Sequence, residues 1–398
     1  MSKKPYRILQ TDVDVMNKKI RVHRMRVLRY TIILIIIILA AVAGFYWYYQ
    51  TRTYASYDII QSAERKDAAG TKFIEFGENI IKYSNGGAIC IDRSNHLIWN
   101  QTYDMQDPAI DICKEYAVIA DQGGNQIFIM NMVGNSGSLE TTAPIQQVHV
   151  ADQGMVAVLM DEEDARLIEM YDRKGKFLVR GELHTEKGGY PLDITISDDG
   201  KKMAVSLLTL NQGNIKTTIA FYNFDSVGQN EIDNIVGSYS YSDMIFPRIE
   251  FLTNDTMVAF GNGRIVIFEG TQKPAVKKEL VIDKEMQSIF YNGHYFGITY
   301  NKENSENYHV AIYDLRGVEE QTVDFSMDYD EIEFLDNDEI CIRNGLECLI
   351  ITRHGIEKFR YEFDRNIFKI LSTNIGRDYI FLMDGTTDKV RIKVNEDS

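Results

Sequence analysis

Four cysteines, Cys90, Cys113, Cys341 and Cys348, are the residues whose spacing points most directly to chemistry. None forms the Cys-x-x-Cys pair of redox and zinc sites. Cys341 and Cys348 flank Asn344-Gly345, a dipeptide that favours a two-residue hairpin turn. Counting outward, Arg343 opposes Leu346, Ile342 opposes Glu347, and Cys341 opposes Cys348 as a hydrogen-bonded pair, with Cα atoms about 5.5 Å apart. That separation lies within the disulfide range. The pattern predicts either a 341–348 disulfide or two thiols packed in the apolar interior. Cys90 and Cys113 are expected in neighbouring structural units.

The other reactive residue types show no constellation. The histidines His23, His96, His149, His184, His294, His309 and His354 have no metal-ligand spacing and read as loop or strand residues. The acidic runs DEEDAR (161–166) and DNDE (336–339) lack the Asp-x-Asp-x-Asp-Gly pattern of a calcium loop and read as solvated hairpin turns. GNSGS (134–138) has no strand-to-helix context and reads as a loop. No Gly-x-Ser-x-Gly nucleophile motif occurs. No catalytic residue, cofactor or metal is therefore assigned.

The elements that would position any site repeat along the chain. IEMYDRKGKFL ends an apolar run in Tyr-Asp and places Gly three residues after the Asp, and VAIYDLRGVEE does the same. Asp accepts backbone N–H bonds at a turn, and Gly adopts the positive φ of the following bulge. Related ends fall at 92, 131, 172, 223, 269, 314, 352 and 395, a mean spacing of about 43 residues. That period, with several short strands per unit, predicts an all-β chain folded as a β-propeller of eight blades, with seven as the alternative. The last unit lacks a fourth strand, and ASYDIIQSA (55–63) is positioned in sequence to supply it.

One segment is not globular. YTIILIIIILAAVAGFYWYY (30–49) carries no charge and spans about 30 Å as a helix, the thickness of a bilayer core. Residues 1–29 carry nine Lys or Arg against two Asp, a balance of +7, which leaves −22 on the remainder of a chain whose total is −15. Lys18, Lys19, Arg21, Arg24, Arg26 and Arg29 are the expected topology determinants, with Trp47 in an aromatic belt at the far interface. The expected organisation is a basic cytoplasmic tail (1–29), a transmembrane helix (30–49), a linker with the ring-closing strand (50–70) and the propeller (71–398), which lies outside the cytoplasm. An Ala-x-Ala pattern at 41–43 admits a cleaved signal peptide instead. The basic tail suits a lipid bilayer as partner, and the acidic remainder argues against nucleic acid.

Three resemblances rest on particular residues. AICIDRSNHLIW resembles the tryptophan-docking repeat of quinoprotein propellers, in this one unit only. GYPLDITISDDGKKMAVSLL resembles the blade motif of WD40-like propellers. Over nearly its whole length the chain is similar to an uncharacterised family of single-pass membrane proteins from Gram-positive anaerobes, a domain of unknown function. The segments that carry this are IIKYSNGGAICID, LIWNQTYDMQDPAIDIC, GGYPLDITISDDGKKMAVS, IAFYNF and VGQ. The resemblance implies one membrane helix and a propeller exodomain. The resulting expectation is a binding scaffold or sensor of the cell envelope, with a protein or glycan partner. The alternative is an enzyme with a glycan-, peptide- or quinone-linked substrate and a site in the propeller channel.

Overall fold

A computed structural model describes residues 10–50, 52–162, 165–183, 189–211, 213–301, 307–373 and 376–394. The chain divides after Thr53 into two units. The first is a single helix, α1 (Gln10–Gln50), which runs without interruption through the basic stretch. Residues 18–29 are rich in Lys and Arg and contain neither Gly nor Pro, so nothing in them ends a helix. The span Val15–Phe45 contains an apolar window long enough to cross a membrane, and none of that window is buried. Lys18, Lys19, Arg21, Arg24, Arg26 and Arg29 lie exposed along α1, while the side chain of Trp47 lies outside the described residues.

The second unit is an eight-bladed β-propeller. Eight four-stranded sheets, antiparallel throughout, follow one another along the chain. Blades 1 to 7 comprise residues 72–102, 108–140, 145–183, 190–242, 248–281, 288–325 and 331–362. Blade 8 takes three strands from 367–393 and its fourth from β1 (Ser56–Glu64), which pairs with Thr386–Lys393. The expected ring closure by the segment before the first unit is thus the observed one.

Burial follows strand order. Second and third strands are apolar on both faces, as in Val156–Asp161 and Thr256–Gly261, and their side chains are almost wholly buried. Fourth strands are largely exposed, as in Phe177–Leu183 and Ala275–Val281. A sheet buried on both faces needs a neighbour on each side, and the eight apolar clusters each straddle one blade-to-blade seam. Phe359 and Phe381 meet across the seam of blades 7 and 8, and Ile80 meets Ile380 across that of blades 8 and 1.

The repeated corner joins third to fourth strands. Asp172 Oδ1 accepts the N–H groups of Lys174 and Lys176, each at 2.9 Å, and Gly175 sits at φ 79°. Asp314 repeats this with Arg316, Val318 and Gly317 at φ 73°. Asp92 does so with Ser94 and His96, with Asn95 at φ 66° in the glycine position. A one-residue register shift follows in the third-to-fourth strand pairing of blades 1 to 7.

Three expectations are corrected. The Asn344 hairpin closes two residues later than the sequence count, so Cys341 pairs with Ile350 and Cys348 with Arg343. The cause is the Asn344 side chain, whose Oδ1 accepts the N–H groups of Leu346 and Glu347 and moves the turn onto Gly345-Leu346. The opposed 341–348 arrangement is therefore absent, and both thiols are free and buried. Residues 134–138 belong to the strand Gly134–Glu140, not to a loop. Glu339, at the end of the acidic run 336–339, is buried: its carboxylate accepts from the Tyr379 hydroxyl at 2.5 Å and pairs with Lys358.

The closing strand is fastened at both ends. At its start, Tyr54 is buried between blades 7 and 8, and its N–H donates to Lys358 O at 2.8 Å. At its end, the Arg65 side chain is fully buried. It donates to Met383 O (2.7 Å), Thr386 O (2.9 Å) and Thr387 Oγ1 (2.8 Å), pairs with Asp67 at 2.6 Å and lies over the Phe73 ring. Replacing Arg65 strands Asp67 and three acceptors at the seam of blades 8 and 1. Arg65→Ala is expected to lower stability by about 3 kcal/mol, read as a lower urea midpoint and faster proteolysis between 54 and 70. A midpoint equal to that of the unaltered protein contradicts the clamp.

Candidate functional site: the channel wall

The innermost strand of each blade has one sheet partner, so its other edge faces the ring axis with unpaired backbone groups. These strands are Lys72–Phe76, Pro108–Cys113, Ile145–Val150, Tyr190–Ile196, Arg248–Phe251, Ser288–Tyr291, Glu331–Phe334 and Ile367–Ser372. Polar side chains from one blade satisfy the inner strand of the next. Asp111 Oδ2 accepts Val150 N–H at 2.7 Å, and Gln147 Oε1 accepts Ile194 N–H at 3.1 Å. Asp193 Oδ2 accepts Ile249 N–H at 2.7 Å, and Thr195 Oγ1 accepts Phe251 N–H at 3.2 Å.

Two charged groups result. In blades 2 to 6, Arg248 Nη2 donates to Glu250 Oε2 (2.7 Å) and Tyr291 OH (2.6 Å), and Tyr291 OH donates to Glu250 Oε2 (2.8 Å). Arg248 Nη1 lies 3.7 Å from Asp193, and His149 Nδ1 lies 3.8 Å from Asp111. In blades 7, 8 and 1, Lys369 Nζ bridges Glu333 (2.5 Å) and Glu331 (3.3 Å), Arg343 pairs with Glu331, and Glu75 pairs with Arg93 at 3.1 Å.

Burial sets the protonation of these groups. It pushes the Asp111 carboxyl up to about 7, opposed by its bond from Val150 N–H. About a third of that side chain (34%) still meets solvent. Burial likewise raises Asp193 to about 7 against the nearby Arg248 charge, and burial with Asp336 raises Glu75 to about 7. His149 falls to about 3 through burial and then the Arg248 charge, so it is a neutral imidazole at physiological pH. Asp111 and Asp193 near the Arg248 guanidinium, and Glu75 beside Arg93, are thus carboxyls whose proton affinity lies near neutrality, the kind of group found at functional sites. Among the described residues no group of three His, Cys, Asp or Glu side chains could hold a metal ion.

The sequence-expected residues are dispersed. Cys90 and Cys113 lie in neighbouring blades, both buried, and burial lifts each thiol to about 12, which makes them unreactive. His149 reaches the channel wall, whereas His96, His294 and His309 bond carboxylates at 2.9, 3.1 and 2.5 Å away from it. His184, Glu163 and Asp164 lie outside the described residues. The wall residues had a sequence signal, an acid between apolar neighbours in FIEF (73–76), AIDIC (109–113), PLDIT (191–195), RIEF (248–251) and EIEF (331–334).

Because the folded carboxyl of Asp193 titrates near 7 and the unfolded one near 4, the folded state holds the extra proton between those values. Its contribution is complete below pH 4 and is lost as pH rises through 7. Asp193→Asn removes this slope. The stability of the unaltered protein relative to the variant should fall by about 2–4 kcal/mol between pH 4.5 and pH 8, measured by urea unfolding of both. A pH-independent difference, or one that grows with pH, contradicts it.

The ring is similar to solved propellers at low sequence identity, which concerns the fold alone. The C-terminal WD40 domain of Sif2 aligns with TM-score 0.55 and 12% identity over 86% of this chain and 100% of that one. AztD from Citrobacter koseri aligns with TM-score 0.52 and 10% identity over 74% and 87%. Sqt1 from Saccharomyces cerevisiae aligns with TM-score 0.51 and 11% identity over 87% and 100%. No curated protein matches in sequence. Residues 50–392 match the family of unknown function DUF5711, and the chain belongs to that family.

Proposed function

We propose that the protein is a single-pass membrane protein that holds its propeller on the extracytoplasmic side, where the ring serves as a binding scaffold or sensor for an envelope protein or glycan. The observation that carries this reading is the division of charge around α1. A flank of +7 precedes the unburied apolar run, and a ring-bearing remainder of −22 follows. Positive flanks are retained in the cytoplasm, so Lys18, Lys19, Arg21, Arg24, Arg26 and Arg29 act as the retention signal and Trp47 anchors the opposite interface. Only five residues separate Gln50 at the end of α1 from Ser56 at the start of β1, so the anchor leads directly into the strand that closes the ring. Rigid blades with exposed loops suit recognition.

A second reading, an enzyme acting on a glycan-, peptide- or quinone-linked substrate, draws on the three wall carboxyls near 7. Turnover of an envelope substrate that is lost in a folded Asp111→Asn variant would favour it over binding alone.

Topology is tested by labelling, since the four native cysteines are buried. Val133 is 83% exposed on the ring. A membrane-impermeant maleimide should label Val133→Cys on intact cells and Ser2→Cys only after lysis. The reverse pattern overturns the proposed orientation. Cross-linking on intact cells followed by capture should then return the same envelope component in replicate experiments.

A further inference from the structure

The seam between blades 8 and 1 carries a cation where other seams are apolar. In blade 5 the third strand packs Val266 and Phe268 toward one neighbour and Ile265 and Ile267 toward the other. In blade 7, Cys348 and Ile350 face one way and Leu349 and Ile351 the other. The third strand of blade 8 is Thr386–Lys393, and in it Lys389 lies in register between Ile380 and Gln61 of β1. Ile380 belongs to the core shared with Ile80 and Ile91 of blade 1, so this row of the sheet faces blade 1. The next row on the same face is Leu382, Thr387 and Ala63. A cavity of about 280 Å³ lies over the two rows, walled by Gln61, Thr387 and Lys389 of blade 8 and by Arg93 and Ser94 at a corner of blade 1.

These walls present hydrogen-bond donors that the protein does not use. Lys389 is only partly exposed and has no ion pair or hydrogen bond among the described residues. The Gln61 carboxamide and the Ser94 hydroxyl have no partner there either. Thr387 is 2% exposed; its oxygen accepts from Arg65 at 2.8 Å, and its own hydroxyl hydrogen meets no acceptor among the described residues. No Asp or Glu lines the cavity. The nearby carboxylates Asp378 and Asp388 are held by Arg391 at 2.7 Å and Arg365 at 2.9 Å. Arg93 is committed to Glu75 and Glu78, which leaves Lys389 as the charge without a counter-charge. A cation finds no ligand here, whereas an oxyanion satisfies the ammonium and the three neutral donors together. We infer that this cavity binds a small oxyanion of the phosphate class, free or as a monoester, with Lys389 supplying the charge and Gln61, Ser94 and Thr387 the hydrogen bonds. The bound anion joins β1, the third strand of blade 8 and blade 1 at the point where the ring closes. This goes beyond the envelope reading and does not depend on which side of the membrane the ring occupies.

The test uses the full chain in micelles of an uncharged detergent, with ionic strength held constant by chloride. Calorimetric titrations compare inorganic phosphate and glycerol phosphate with acetate, whose two oxygens cannot reach four donors. Phosphate or its ester should bind about tenfold or more tightly than acetate. Binding of both identifies a site open to esters such as a headgroup, and binding of phosphate alone a site for the free ion. Lys389→Met keeps the length of the stem and places an apolar side chain where other blades have one, so it should fold. Gln61→Glu is isosteric and sets a negative charge at the cavity. Each should weaken the binding about tenfold or more without lowering the melting temperature. If Lys389→Met fails to fold, Gln61→Glu alone decides. No binding of phosphate or its ester at millimolar concentration, equal binding of acetate, or undiminished affinity in either folded variant overturns the inference.

Discussion

A four-stranded sheet whose central strands are apolar on both faces cannot be stable alone, and the rest of the ring follows from that constraint. Each blade must be covered twice, so the blades form a closed circle of seams. The seams are unequal. The cluster between blades 7 and 8 is built from aromatics in edge-to-face and tilted contact, including Tyr57, Phe359, Phe363 and Phe381, whereas that between blades 8 and 1 has a small core around Ile80, Leu371 and Ile380. Arg65 ties the end of β1 to the last hairpin of blade 8, and Ser62 donates to Asp388 at 2.5 Å. β1 follows the membrane-length helix after five residues.

The axis poses a second problem. Inner strands are edges, and their free backbone groups require partners that no ninth strand can supply. Side chains such as Asp111, Gln147, Asp193 and Thr195 reach across to the next blade. Carboxylates used in this way are removed from bulk water, which raises their proton affinity toward neutrality. Structural necessity therefore assembles a polar wall.

The fold was legible because its signals are local. Asp-x-x-Gly corners such as 172–175 and 314–317 set both the hydrogen bonds and the period, and a missing strand at one terminus matched a spare strand at the other. What failed was also local. The Asn344 hairpin was misjudged by two residues because the side chain of Asn344, and not Asn-Gly as the two turn residues, closes the turn. The glycines and serines of 134–138 look like a loop, yet an outermost strand needs little side-chain packing and tolerates them. The channel wall was visible in principle, in FIEF, AIDIC, PLDIT, RIEF and EIEF, but a lone acid in a strand has no meaning until the ring brings successive inner strands together.

The central claim is that the segment following the helix is an integral blade strand that closes the ring, and hydrogen exchange of the full chain tests it most directly. The amides of Ser56–Glu64 that pair with Thr386–Lys393 should exchange as slowly as those of that partner strand and lose protection together with it as urea is raised. Fast exchange of Ser56–Glu64 while blades 2 to 7 stay protected would contradict closure by this strand, and with it the account of how the propeller is held together.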